Sequence, residues 1–132
     1  MEVALKEQEW DLFYAGYAAH SSIALEQPLG RISPSLSLMS SHAVGFSPRA
    51  IDRVIPYLET MLTRPNGHPD GGPMDIDGAY SWFRRDNPDL ITLVASPKII
   101  TQRSSVSDIT PARLRDTIMQ LSGLRKLKNM LF

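Results

Sequence analysis

The sequence predicts an α+β fold, a single domain over 1–132, and three observations predict it. The 132 residues are 42% hydrophobic and 21% charged, the balance of a globular chain long enough for one core and short for two. Several segments carry apolar residues at helical spacing between recognisable start and stop signals. A later pair, "LITLVAS" and "KIITQ", has the β-branched density of buried strands.

From Val3 to Leu25, the positions Trp10, Phe13, Tyr17 and Ala24, with Leu5, Leu12 and Ala18 beside them, recur near the helical period. Pro28 and Gly30 end the run, so the spacing predicts one long first helix whose aromatics fill the core. In "ISPSLSLMSSHAVGF", Leu36 and Leu38 alternate with serines, and Val44 and Phe46 alternate across Gly45. That period of two predicts two short half-buried strands.

Ser47 is a natural N-cap and Pro48 a natural first helical residue; Ile51, Val54, Ile55, Leu58, Met61 and Leu62 then form an apolar stripe. Pro56 removes a backbone donor inside this central helix and predicts a kink or a division there. Pro65, Asn66 and Gly67 terminate it. Asp77 is the expected cap of a shorter helix with Tyr80 and Phe83 turned inward, stopped by Pro88. The two β-branched runs follow, separated by Ser96 and Pro97.

In the tail, Thr110 and Pro111 start a helix striped by Leu114, Ile118 and Leu121. Continued straight through Gly123, that helix would bury Arg125 and Lys128, and burying two cations is costly. A break at Gly123 lets Leu124, Leu127 and Leu131 form a separate face. The expected architecture is therefore helices at both termini and a kinked central helix packed on a small sheet.

Chemistry is constrained mostly by exclusion. Without cysteine there is no disulfide, thiolate nucleophile or thiolate metal site. Neither phosphate-cradling glycine pattern occurs, nor does a G-x-S-x-G elbow. His20 and His42 carry no catalytic spacing, and no cofactor is indicated. No apolar run approaches the ~18 residues of a membrane span, and "MEVALKEQEW" lacks a signal-peptide layout, so the expected location is cytoplasmic.

The stretch "NGHPDGGPMDIDGAYSW" concentrates His68, Asp70, Asp75 and Asp77 among glycines. Aligned as a calcium loop on Gly78, its first and last ligand positions become Pro73 and Arg84, which excludes an EF-hand. Its proline and glycine content reads as chain reversal; a His/Asp metal or acid/base site from those four residues is the alternative.

Charge is unevenly placed. Residues 1–30 carry one Lys against five acids, and residues 98–132 carry seven Lys/Arg against two Asp, although the chain is neutral as a whole. The leading functional expectation is a non-enzymatic interaction or assembly module that self-associates or docks a protein partner. Leu124, Leu127 and Leu131 form its contact face and Arg125, Lys126 and Lys128 the basic rim. Head-to-tail assemblies of accessory or viral structural proteins would use such asymmetry. One alternative is nucleic-acid binding through Arg113, Arg115, Arg125, Lys126 and Lys128. The second is a small enzyme built on the 68–77 loop.

Overall fold

The structure is a computed structural model and describes residues 5–19, 23, 25 and 27–101. Among the described residues six elements are bounded, in chain order β1 (Leu12–Ala18), β2 (Leu29–Arg31), β3 (Met39–Phe46), α1 (Pro48–Thr63), α2 (Ile76–Asp86) and β4 (Thr92–Ala95). The strands form one mixed sheet in the order β2-β4-β1-β3. Only β1 and β4 run parallel; β1 with β3 and β2 with β4 are antiparallel. An α+β fold is what this shows.

The first element is a correction. Where a long helix over Val3–Leu25 is expected, the chain forms β1. Leu12 and Tyr14 alternate into the core as strand residues do. A register shift between Tyr14 and Gly16 then changes the facing, so that Tyr17 becomes the next core residue. This bulge stretches a period of two into spacings that imitate a helix. Phe13 instead meets Trp10 edge-on, at 6.3 Å between ring centroids. Gly16 also disfavours a helix, by about 1 kcal/mol, and the fold needs it: a Cβ there would sit 2.6 Å from the His42 ring and 2.7 Å from the Ile100 carbonyl oxygen. Gly30 is likewise no helix stop; it pairs with Val94 inside β2.

β3 realises the later of the two expected strands, with Val44 and Phe46 packed against the core. The earlier one is absent: Pro34 and Ser35 turn the chain, and Leu38 is buried beyond the turn. Its alternating serines bond one another, Ser33 Oγ with Ser35 Oγ at 2.8 Å, and do not join a ladder.

α1 starts as expected. The Ala50 N–H donates to Ser47 Oγ at 3.2 Å, and Pro48 opens the first turn. Ala50, Val54 and Met61 are buried. Pro56 does not divide the helix, which is one element of 16 residues. Its ring lies on the exposed side, where a helix can lose one backbone bond to water without burying the orphaned carbonyl.

α2 is capped by Asp75, not Asp77: the Gly78 N–H donates to Asp75 Oδ1 at 2.8 Å. Asp77 reaches across to β3, accepting from the Ser40 N–H at 2.6 Å and the Ser41 N–H at 2.8 Å. These contacts hold Ser40 at a φ of 51°, a left-handed conformation uncommon outside glycine. The division of labour is testable. Asp75→Ala should lower unfolding free energy by about 1 kcal/mol in a denaturant titration, as loss of a cap does. Asp77→Ala should instead speed amide exchange at Ser40 and Ser41.

Both helices cover one face of the sheet, where Leu12, Tyr14, Tyr17 and Val94 meet Ala50, Val54 and Phe83. Tyr57 packs edge-on against Phe83, and Phe46 against Tyr80. β4, an inner strand, is buried at all four positions, Thr92 included, which matches its largely apolar, β-branched sequence. No strand forms over 98–101, contrary to the expectation for "KIITQ". The Ile99 and Ile100 amides both donate to the Ala15 carbonyl, at 2.9 and 3.1 Å, and so do not make the alternating bonds of a ladder. The described residues up to Ile100 form one compact unit. The expected terminal helical pair, and with it the single-domain reading of the whole chain, lies outside the described residues.

Candidate interaction surface

α1 has two apolar sides. At 100° per residue, Ala50, Val54 and Met61 point into the core, and Ile51, Ile55 and Leu62, each the next residue along, fall on a neighbouring stripe about 100° away. Ile51 is 43% exposed, Ile55 51% and Leu62 72%. Leu58, half-buried, lies at the junction of the two sides. Apolar residues scattered singly on a surface are normal, but three on one helical stripe form a row that a partner can cover. Asp52 and Glu59 are exposed along its outer edge. The sequence shows one apolar stripe and not its division, because spacing alone does not show how wide a face the sheet covers.

At the start of the same helix lies an open cleft of about 680 Å³, lined among the described residues by Trp10, Asp11, Phe46, Pro48 and Arg49. Its floor is a structural junction. Asp11 is 5% exposed, and its carboxylate accepts from the Ser47 hydroxyl at 3.0 Å and the Ile91 N–H at 2.9 Å. Arg49 approaches it at 3.6 Å. Those bonds tie the α1 cap to the start of β4 and leave the carboxylate committed to the fold.

The 68–77 loop pairs His68 with Asp70, at 4.0 Å between Nδ1 and Oδ2, and gives Asp75 and Asp77 other partners. His68 Nδ1 accepts from the Asp70 N–H at 3.1 Å, while Asp75 caps α2 and Asp77 holds β3. Among the described residues no cluster of three or more His, Asp or Glu side chains suits a metal ion. The loop is a reversal: Arg64 donates to the Asp70 and Gly71 carbonyls. Gly72 lies so close to Pro65 that a Cβ would be 2.2 Å from its carbonyl oxygen.

The cations of the described region are mostly engaged. Arg49 and Arg53 share Asp89 at 2.6 and 2.8 Å. Arg85 bonds Asp86 and stacks over Trp82, 3.8 Å from the ring centroid. Lys98 lies over Tyr17. Arg84 is the enclosed one: it is 1% exposed, takes part in no ion pair among the described residues, and donates to the Ser33, Pro34 and Leu36 carbonyls. Neither Arg84 nor Asp11 stands out in the sequence as a buried charge, since each sits among ordinary surface charges there. Leu124, Leu127, Leu131, Arg125, Lys126, Lys128, Arg113 and Arg115 lie outside the described residues.

Among the described residues no helix is long and apolar enough to cross a membrane. No family model, curated protein or solved structure matches this chain.

Proposed function

We propose that the protein is a non-enzymatic assembly module that associates with further copies of itself. The observation carrying this reading is the exposed row of Ile51, Ile55 and Leu62 on a helix whose adjoining stripe already serves the core. A helix that needed only to cover the sheet would present polar residues there. A second copy is the preferred partner because the chain supplies both signs of charge, acids over 1–30 and bases over 98–132, which favours contact between unlike ends. The sequence of the tail adds its own leucine set, Leu124, Leu127 and Leu131, rimmed by Arg125, Lys126 and Lys128. Nucleic-acid binding draws less support from the described region, where Arg49, Arg53 and Arg85 are paired with carboxylates and are not displayed as a phosphate-facing row.

Sedimentation velocity over a hundredfold range of concentration tests this. The wild-type mass should rise with concentration and fall with added salt. Leu62→Asp, at the most exposed position, should shift the protein towards monomer with its melting temperature unchanged within a degree or two. Leu127→Asp reads the contribution of the tail separately. A wild-type chain that stays monomeric throughout, or a Leu62→Asp chain that associates as well as its parent, defeats the proposal for this surface.

A further inference from the structure

Asn66 and Gly67 are the central pair of the tight turn that follows α1. The His68 N–H closes the turn by donating to the Pro65 carbonyl at 3.2 Å, and Gly67 takes a φ of 75°. Both residues are exposed, and a Cβ on Gly67 would meet nothing within 4 Å. Among the described residues, neither the Gly67 N–H nor the Asn66 side-chain amide has a hydrogen-bond partner.

An asparagine or aspartate before glycine is set for attack on its own side chain, because the following nitrogen is unhindered by a Cβ and the two groups close a five-membered ring. What the fold does with that nitrogen decides whether attack occurs. The described residues hold two other pairs of this kind, Asp70 with Gly71 and Asp77 with Gly78, and in both the nitrogen is engaged. The Gly71 N–H donates to the His68 carbonyl at 2.9 Å, and the Gly78 N–H to Asp75 Oδ1 at 2.8 Å. Asn87, the other described asparagine, precedes Pro88, which has no N–H. Of the three glycine nitrogens only that of Gly67 is free, and its neighbour is a neutral amide, which accepts a nucleophile where a carboxylate repels it.

We propose that Asn66 and Gly67 form a site of spontaneous deamidation, with the chain itself and water as the reactants. The Gly67 nitrogen bonds to Asn66 Cγ, the bond from Cγ to Nδ2 breaks, and the proton from the Gly67 nitrogen leaves with Nδ2 as ammonia. Water then opens the cyclic imide. Opening at Cγ gives an aspartyl residue with the backbone restored; opening at the backbone carbonyl gives an isoaspartyl residue, whose chain runs through the side-chain carbon and is longer by one atom. Either product places a carboxylate just beyond the C-terminus of α1, the helix end that disfavours negative charge. The isoaspartyl product also stretches the turn that the Pro65 and His68 bond closes. This site is independent of the helix surface proposed for assembly.

The test is peptide mapping by mass spectrometry of the full chain held at mildly alkaline pH, once folded and once unfolded in guanidinium chloride. Aspartyl and isoaspartyl peptides separate from the parent by mass and by chromatography. Asp70 and Asp77 must first free a bonded nitrogen, so folding should slow isoaspartate formation there by about tenfold or more. Asn66 should deamidate in the folded chain at close to its unfolded rate. Asn66→Gln keeps an amide but has to close a larger ring, and should stay intact over the same period with its circular dichroism unchanged. An Asn66 that folding protects by about tenfold or more, as one broken hydrogen bond would, overturns the proposal. So does isoaspartate that appears at Asp70 or Asp77 of the folded chain before any change at Asn66.

Discussion

Asp11→Ala is expected to lower the unfolding free energy by about 3 kcal/mol, within the range for removing one partner of buried hydrogen bonds. The carboxylate is nearly enclosed and accepts from two donors on different elements, the Ser47 hydroxyl and the Ile91 amide. The backbone reinforces the same joint. The Asp11 N–H donates to the Ile91 carbonyl, and the Ser47 N–H donates to the Asp11 carbonyl, each at 2.8 Å. Truncation leaves the Ile91 amide without an acceptor at the point where β4 begins to pair with β1. The loss should therefore act cooperatively on the whole sheet, seen as a single shifted transition in urea.

Three companions identify the cause. Asp11→Asn keeps one carbonyl oxygen for the Ile91 amide and should cost about 1 kcal/mol, the net value of one bond. Arg49→Ala should cost less than about 0.5 kcal/mol, because that side chain is largely exposed and its ion pair is screened. Ser47→Ala loses both its bond to Asp11 and its role as α1 cap, for about 1–2 kcal/mol. Combined with Asp11→Ala it should lose less than the sum of the two, since both remove the same contact. An Arg49→Ala loss equal to that of Asp11→Ala would mean that charge attraction, and not hydrogen bonding, holds this joint.

What could be read in advance divides along physical lines. Ser47 and Pro48 act within a few residues of the backbone they satisfy, so the start of α1 was legible. β4 was legible because an inner strand buried on both faces favours the dense β-branched and apolar residues of "LITLVAS". β1 was not. Its bulge respaces Leu12, Tyr14 and Tyr17 so that neither a period of two nor one of 3.6 describes it alone. The cap of α2 was misplaced by two residues because Asp75 and Asp77 are both good caps locally; only the nearness of β3 gives Asp77 its other task. The same limit applies to function. Which half of the α1 stripe faces water, and that Arg84 is the arginine enclosed, depend on contacts some 30 to 50 residues away in sequence.

Alkaline pH should unfold this protein more steeply than its modest size suggests, because every one of its four tyrosines is held protonated by the fold. Burial raises the pKa of Tyr14 against the opposing Arg84, and burial alone raises that of Tyr17, whose hydroxyl donates to the Ala95 carbonyl at 3.0 Å. Burial and the adjoining Asp86 carboxylate, 2.6 Å from its hydroxyl, raise Tyr57; burial and Asp77 raise Tyr80. A group whose pKa is higher in the folded chain binds its proton more tightly there. Its stabilisation is fully present below the unfolded value near 10 and is lost as pH rises through the folded value. A phenol that stays protonated in the folded chain while it ionises in the unfolded one contributes a slope of up to about 1.4 kcal/mol per pH unit. Tyr57 is raised furthest, because burial, its hydrogen bond to Asp86 and the Asp86 charge all act in the same direction. Stability measured by urea titration should therefore be insensitive to these phenols from pH 7 to 9 and fall sharply above 10, with tyrosinate absorbance appearing together with loss of the circular dichroism signal. Tyr17→Phe should make the slope shallower. Phenols that all ionised reversibly near 10 while the dichroism stayed native would show that the core around Tyr14 and Tyr17 admits water, and the packing described for β1 would be wrong.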